Sequence, residues 1–207
     1  FLEPYARPIA KAVGIPTIMA GRIIDPEDAE GVLQAGSADF VAVCRALVAD
    51  AYWPRKAFGE IATPIRKCIS CNVCFERLTL ERDVSCVANP MVGTEFERIE
   101  NAEPQLRAGG PPRAAAERKR ILVLGAGVAG VETARVAAGL GHQVEIWEKA
   151  AKAGGQMPLA LAAPDKADVA GIWSYRWQQI ESLGVPVRTE VSATAQSIRD
   201  FRPDLVV

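Results

Sequence analysis

The feature that most constrains the fold is a glycine-rich turn between an apolar strand and a helix. The turn reads Gly-Ala-Gly-Val-Ala-Gly over Gly125–Gly130, after the apolar run Ile121–Leu124 and before a predicted helix from Gly127 to Gly139. In such a turn the three glycines permit a tight bend, a close backbone approach to a pyrophosphate, and close packing of the helix on the strand. The helix N-terminus offers free N–H groups to phosphate oxygens. The pattern predicts a dinucleotide-binding α/β domain, and a glycine-rich turn without a ligand is the alternative.

An acidic residue strengthens this interpretation. Glu148 ends the second predicted strand, Gln143–Trp147, about 20 residues beyond the turn, where a carboxylate can accept hydrogen bonds from an adenosine ribose. A helix over Lys166–Leu183 and strands at Val185–Thr189 and from Leu205 complete the expected α/β pattern. The turn by itself does not distinguish FAD from NAD.

A cluster of cysteines predicts a metal centre. The chain has five cysteines, of which Cys68, Cys71 and Cys74 form CxxCxxC and Cys86 follows after eleven residues. Such spacing is too tight for a disulfide framework, and it is typical of cubane iron–sulfur clusters. Zinc sites more often combine two separated CxxC pairs with histidine, and His142 is the only histidine and lies far away. Zinc and free thiols are the alternatives; we interpret Cys44, outside this spacing, as a buried structural thiol.

The first 65 residues predict β/α units. After a helix from Pro4 to Val13, strands at 15–20 and 38–43 alternate with helices from Asp25 to Ala35, over 45–50 and over 53–60, which indicates a parallel sheet. Arginines follow both strand ends, in Gly21-Arg22 and Cys44-Arg45. In a (β/α)8 barrel the loops after the last two strands form the usual phosphate site. From spacing alone, phosphate binding and a surface or salt-bridging role are equally good interpretations.

Composition narrows the function classes. The formal net charge is -1, which offers no basic surface to nucleic acid or to a membrane. No apolar run approaches the ~20 residues of a membrane span, and the N-terminus has no signal-peptide pattern, so we expect a cytoplasmic protein. A Pro- and Gly-rich stretch at 100–118 predicts a linker. Because the chain starts without Met and stops within a predicted strand, we expect a fragment of a longer polypeptide.

Taken together, the motifs resemble the iron–sulfur branch of the old yellow enzyme family. This branch includes 2,4-dienoyl-CoA reductase, trimethylamine dehydrogenase and related NADH:flavin oxidoreductases, and the resemblance extends over the whole chain, through 20–23, 44–50, 68–74 and 125–130. It implies four segments. These are the C-terminal β/α units of an FMN-binding (β/α)8 barrel at 1–65, a [4Fe-4S] segment at 66–99, the linker at 100–118, and a truncated, Rossmann-like FAD- or dinucleotide-binding domain at 119–207.

The resemblance also assigns site residues. It places FMN phosphate at Gly21, Arg22, Cys44 and Arg45, and the cluster on Cys68, Cys71, Cys74 and Cys86. The loop Gly154-Gly155-Gln156 resembles the FAD-binding half of two-dinucleotide-domain flavoproteins, which favours FAD, or its ADP portion, over NAD. The residues expected around this nucleotide are Gly125, Gly127, Val128, Ala129, Gly130, Glu148, Lys149, Gly155 and Gln156.

The implied activity is electron transfer between two flavins through the cluster. FMN handles the substrate, and FAD exchanges hydride with NAD(P)H. The CxxCNxC spacing resembles trimethylamine dehydrogenase and N-methyl-amine demethylases; the alternatives are an NAD(P)H-dependent 2,4-dienoyl-CoA (enoate) reductase and an electron-transfer fragment without catalysis of its own. The implied partners are a small-molecule substrate and an electron-transfer flavoprotein, in a homo-oligomeric parent enzyme. The catalytic residues of the barrel would precede Phe1.

Overall fold

The computed structural model describes residues 2–94 and 115–207 in two compact units, an N-terminal unit at Phe1–Gly93 and a C-terminal unit at Thr94–Val207. Most of the predicted linker at 100–118 lies outside the described residues. Within the described ranges, no helix is both long enough and apolar enough to cross a membrane.

The N-terminal unit contains both predicted β/α units. Its elements are α1 (Glu3–Ala12), β1 (Ile18–Ala20), α2 (Pro26–Gln34), β2 (Phe40–Ala42), α3 (Arg45–Ala49), α4 (Trp53–Ala57) and α5 (Val73–Thr79). Strands β1 and β2 are parallel, with Ile18 opposite Phe40 and Ala20 opposite Ala42. Because parallel strands end at the same edge of a sheet, the segments that follow Ala20 and Ala42 lie side by side.

Capping and burial explain why these elements form. Asp25 precedes α2 with Pro26 at the first helical position, and Asp28 accepts the backbone N–H of Asp25 at 3.1 Å, which satisfies a donor at the helix start. Met19 of β1 packs with Val32 of α2, and a second core cluster contains Ile23, Ala29, Ala46 and Trp53. Helix α5 was not predicted, since 66–91 shows little periodicity.

The C-terminal unit is a four-stranded parallel sheet with helices. Its elements are β3 (Arg120–Leu124), α6 (Val128–Gly139), β4 (Gln143–Trp147), α7 (Met157–Leu161), a 3-10 turn (Ala167–Val169), α8 (Ala170–Ser182), β5 (Val187–Arg188), α9 (Ala195–Phe201) and β6 (Leu205–Val206). The strand order is β5-β4-β3-β6, and every pairing is parallel. Its core joins β3, α6, β4 and α8 through Val123, Val131, Ile146 and Ile180. The predicted helix at Lys166–Leu183 is divided into the 3-10 turn and α8, and helices α7 and α9 were not predicted.

Candidate functional site

A cavity of about 100 Å³ lies where β1 and β2 end. Three separate segments line it: Ala20–Ile24 after β1, Ala42 and Cys44–Ala46 around the start of α3, and Cys68 with Ser70 from the cysteine segment. The structure therefore brings together all four residues predicted to bind FMN phosphate and one predicted cluster ligand. Cys44 is exposed rather than buried, so the interpretation as a buried structural thiol is wrong: the residue ends the connection from β2, immediately before α3.

The two arginines are held differently. Arg45 donates from Nη1 to Oδ1 of Asn72 at 2.6 Å, a contact that ties the start of α3 to the cysteine segment. Arg22 lies in a turn where both it and Gly21 have positive φ, at +53° and +131°. A methyl group on Gly21 would displace the end of the flexible Leu2 side chain, so it is the backbone conformation that favours glycine there.

A buried ion pair anchors the cysteine segment. Asp50 and Lys56 are buried, at 5% and 7% side-chain exposure, and their Oδ2 and Nζ atoms lie 2.6 Å apart. Asp50 also accepts the backbone N–H groups of Tyr52 at 3.0 Å and of Arg66 at 2.8 Å. The second of these bonds fixes the chain two residues before Cys68.

A buried asparagine holds the far end of the same segment. Asn89 accepts from Nη1 of Arg66 at 2.6 Å and from the N–H of Met91 at 3.1 Å, and it donates to the carbonyl of Val48 at 3.1 Å. Together with Asp50, Arg66 and Asn89 attach both ends of the segment to α3. Sequence reasoning missed all three, because neither their spacing nor their residue type distinguishes them from surface polar residues.

The predicted cluster cysteines differ in exposure. Cys68, Cys74 and Cys86 are half-buried and Cys71 is exposed. Burial raises the pKa of the Cys68 thiol; the Ser70 N–H, 3.5 Å from its sulfur, and Arg45 oppose the rise, whereas Cys86 and Cys74 reinforce it. Cys74 and Cys86 are therefore both close enough to influence the Cys68 thiol electrostatically.

The cysteine loop fits a cluster by its donor chemistry. In the described ranges, no three His, Cys, Asp or Glu side chains are arranged to hold a single metal ion. A cubane carries its ligands on separate irons, so it spaces them more widely than one ion does, and soft thiolates are its usual ligands. Ser70 and Asn72 both adopt positive φ, at +55° and +60°, which turns the chain sharply between the cysteines. Ligation by these four residues stays a prediction.

The glycine turn of the C-terminal unit has the geometry that the sequence indicates. Gly125 has a φ of +107°, and Gly127 is the N-cap of α6, so Val128 and Ala129 form the first turn of that helix. A methyl group on Gly130 would overlap the carbonyl oxygen of Gly125. The third glycine is therefore required for packing of α6 against the turn, as predicted.

A second loop faces the turn. The N–H of Gly154 donates to the carbonyl of Ala126 at 2.9 Å, and a methyl group on Gly155 would lie 2.9 Å from Cα of Gly127. Gly155 therefore packs directly against the backbone of Gly127, and with a φ of +56° it cannot carry a side chain without strain. Lys149 and Gln156 are exposed, and Gln156 is the N-cap of α7.

Glu148 supports the turn from within. It is buried, and its carboxylate accepts the N–H of Ala126 through Oε2 and the N–H of Ala150 through Oε1, both at 2.8 Å. These bonds from Ala150 and Ala126 lower the pKa of Glu148 despite its burial. Each carboxylate oxygen can accept a further bond, so ribose binding by Glu148 stays a prediction.

The family model that matches the chain is that of the alanine dehydrogenase/PNT C-terminal domain, over residues 95–165. This match includes the glycine turn and covers about a third of the chain.

Three relatives resemble nearly the whole chain. An NADH oxidase of Thermoanaerobacter brockii is 38% identical over 98% of the chain, and a metal reductase of Desulforamulus reducens is 40% identical over 92%. An N,N-dimethylglycine/sarcosine dehydrogenase of Chromohalobacter salexigens is 35% identical over 99%. The chain spans 30%, 27% and 29% of these three proteins.

Solved structures agree with these matches. A 2-naphthoyl-CoA reductase complex superposes with a TM-score of 0.84 at 34% identity, over 99% of the chain and 30% of the reductase. Histamine dehydrogenase from Rhizobium sp. 4-9 superposes with a TM-score of 0.84 at 25% identity, over 99% of the chain and 29% of that enzyme. Reductases and amine dehydrogenases are thus both similar to this chain in sequence and fold.

Proposed function

We propose that the chain carries the electron-transfer part of an iron–sulfur flavoprotein of the old yellow enzyme family, since its relatives include an NADH oxidase, an alkene reductase/demethylase OYE and a 2-naphthoyl-CoA reductase. Electrons would pass between an FMN in a barrel and an FAD through a [4Fe-4S] cluster. The observation that carries this proposal is the cavity wall that Arg22 and Arg45 share with Cys68. A phosphate-binding pair of arginines and a cluster thiol in one wall would keep FMN and cluster close.

Each group would be held by residues of a different kind. Arg22 and Arg45 would supply charge-assisted hydrogen bonds to the FMN phosphate. Cys68, Cys71, Cys74 and Cys86 would ligate the cluster. These groups supply hydride and single-electron chemistry; the protein positions them and tunes their environment.

The C-terminal unit would bind FAD or its ADP portion. The parallel order β5-β4-β3-β6 supports a Rossmann-type sheet, in which the nucleotide would lie beyond the carboxyl ends of the strands. The N-terminus of α6 would face the pyrophosphate at Gly125 and Gly127, and the loop at Gly155, which packs against Gly127, would lie beside it. An FAD held in this way would exchange hydride with NAD(P)H.

Two substrate classes follow from the relatives. The CxxCNxC spacing and the similarity to N,N-dimethylglycine/sarcosine dehydrogenase and dimethylamine dehydrogenase favour oxidative N-demethylation or amine dehydrogenation. The similarity to cinnamate reductase and to 2-naphthoyl-CoA reductase favours NAD(P)H-dependent reduction of an activated alkene. For the first class we propose an electron-transfer flavoprotein as acceptor, and for both a cytoplasmic, homo-oligomeric parent protein that extends beyond this chain.

The proposed electron transfer through the cluster is tested by removing one thiolate in the whole parent protein. Cys71→Ala should lower the iron content while FMN and FAD content persist, because Cys71 is not among the residues that line the cavity. Flavin content is measured first, since the neighbouring Asn72 bonds Arg45. Stopped-flow absorbance should then show reduction of one flavin by its substrate without onward transfer to the other. Cys44→Ala removes the fifth thiol and should leave the iron content unchanged. Near-normal electron transfer between the flavins in a Cys71→Ala protein shown to lack iron would mean that the electrons do not pass through the cluster.

A further inference from the structure

A buried hydroxyl in the cysteine loop lacks a partner. Oγ of Ser70 is buried, and no hydrogen-bond partner for it exists among residues 2–94 and 115–207. Ser70 also lines the cavity that contains Arg22 and Arg45. Because a buried hydroxyl without a hydrogen bond is unfavourable, this atom is suited to a polar ligand in the cavity.

The backbone at this position argues against a purely local role for serine. Ser70 has a φ of +55°, a conformation that glycine adopts without cost and that serine does not favour. Strain of this kind persists where the surrounding structure requires it, and it concentrates at functional sites. Glycine would satisfy the backbone here, but only serine adds the hydroxyl.

The same residue also contacts a predicted cluster ligand. The backbone N–H of Ser70 donates to the sulfur of Cys68 at 3.5 Å. Its backbone N–H thus serves the thiol, while its hydroxyl has no hydrogen-bond partner among the described residues. Two residues further on, Asn72 accepts the hydrogen bond from Arg45.

We propose that Ser70 is a phosphate-binding residue, whose Oγ–H donates to the terminal phosphate of FMN beside Arg45. This inference rests on the proposed function. A phosphate monoester presents several acceptor oxygens, so a guanidinium and a neutral hydroxyl can bind it together. The cysteine loop would then contribute directly to both prosthetic groups, through the backbone of Ser70 to the thiol and through its hydroxyl to the flavin.

The experiment compares two flavins that differ only in the phosphate. The whole apoprotein is titrated with FMN and with riboflavin, and the dissociation constants are measured by flavin fluorescence. For Ser70→Ala we expect FMN binding to weaken about 10-fold or more, the effect of losing a hydrogen bond to a charged group, with riboflavin binding unchanged. Ser70→Gly relieves the backbone and should show the same selective loss. Thr79→Val, which removes a hydroxyl bonded to the carbonyl of Glu76 outside the cavity, should bind both flavins as the wild type does.

Other outcomes separate this inference from the proposed function. If Arg45→Gln weakens FMN binding but both Ser70 variants bind FMN normally, the phosphate site stands and the role of Ser70 is wrong. If both flavins weaken equally in the Ser70 variants, the residue only supports the loop, and the inference is also wrong. If the wild type binds riboflavin as tightly as FMN and Arg45→Gln changes neither, the phosphate site itself fails.

Discussion

The two units build their candidate sites from opposite materials. In the N-terminal unit, side chains line the cavity and hold the cysteine loop, with Asp50, Lys56 and Asn89 buried around it. In the C-terminal unit, backbone lies against backbone, at Gly130 on Gly125 and at Gly155 on Gly127. The N-terminal site therefore depends on specific side-chain groups, whereas the C-terminal site depends on glycines, which carry no side chain.

This difference predicts how each site fails. Neutralising a charge should damage the N-terminal unit, since a buried partner is left uncompensated. Adding a single carbon should damage the C-terminal unit, since no flexible side chain can move aside. A methyl group added in open space, as at Gly31, or the loss of an exposed charge, as at Glu60, should have a much smaller effect.

The largest effect is expected at Gly130. In Gly130→Ala the new methyl group would overlap the carbonyl oxygen of Gly125 and lie 3.3 Å from Cγ1 of Val123. Because both are fixed, we expect the C-terminal unit to lose about 3 kcal/mol or more of its free energy of unfolding. Urea unfolding of the parent protein, followed by circular dichroism, measures it.

A glycine in α2 provides the control. Gly31 is also helical, but a methyl group there would meet nothing within 4 Å. Gly31→Ala should therefore stabilise the N-terminal unit by about 0.5–1 kcal/mol, the usual gain from a better helix former. Equal destabilisation by both substitutions would contradict the importance of the contact with Gly125.

The next effect is expected at Asp50. Asp50→Asn leaves the ammonium of Lys56 buried without its carboxylate and weakens the bond that fixes Arg66. Removing one member of a buried pair typically costs about 3–5 kcal/mol. Because Lys56 still donates to the carbonyl of Pro64 at 2.9 Å, we expect a loss at the lower end, about 3 kcal/mol, and a lower urea midpoint of the N-terminal unit. Glu60→Gln breaks an exposed pair with Arg55, 3.0 Å apart, and should cost at most about 1 kcal/mol. A similar loss in both variants would contradict the role assigned to burial.

The C-terminal site is easier to predict from sequence than the N-terminal one, because it is built from a local backbone turn rather than from contacts between distant side chains. The glycine turn is local, so its conformation follows from residue type: Gly125 has a positive φ and Gly130 packs closely, as predicted. The approach of Gly127 to a pyrophosphate stays a prediction. The β/α units also follow from local signals, such as Asp25 and Pro26 at the start of α2.

The network around the cysteines could not be predicted in this way. Asp50 and Arg66 are 16 residues apart, and Val48 and Asn89 are 41 apart, so only the folded chain shows that they meet. Glu148 combines both cases: its position was predicted, but its bonds to Ala126 and Ala150 were not. Helix α5 begins directly after Asn72 at a φ of +60°, and no apolar period marks it.

Glu148 is a charged side chain within a site that is otherwise built from backbone contacts. The pH dependence of the free energy of unfolding tests its contribution. Its pKa is lowered in the folded protein, so its contribution to stability is complete above the ordinary glutamate pKa, roughly 4.3, and is lost as the pH falls through the lowered value. Glu148→Gln replaces one acceptor by an NH2 group that faces a backbone donor, which should cost about 2 kcal/mol at pH 7. Urea unfolding from pH 7 to pH 3 should show a smaller loss of stability on acidification in the variant. Parallel curves would mean that Glu148 does not carry this pH dependence.

The smallest effect is expected at Asn72, where side chain and backbone contribute together. Asn72→Gly keeps the positive φ available but removes the 2.6 Å hydrogen bond from Arg45. Since this bond is exposed, its loss should cost about 1 kcal/mol, or roughly a fivefold weakening of FMN binding. Asn72→Ala loses the same bond and also strains the backbone, so it should lower the stability of the cysteine loop as well. Flavin titration of both variants, together with their thermal unfolding, separates the two contributions. If Asn72→Gly binds FMN as the wild type does, Arg45 does not need this partner, and the cysteine loop supports the cavity only through its backbone and Ser70.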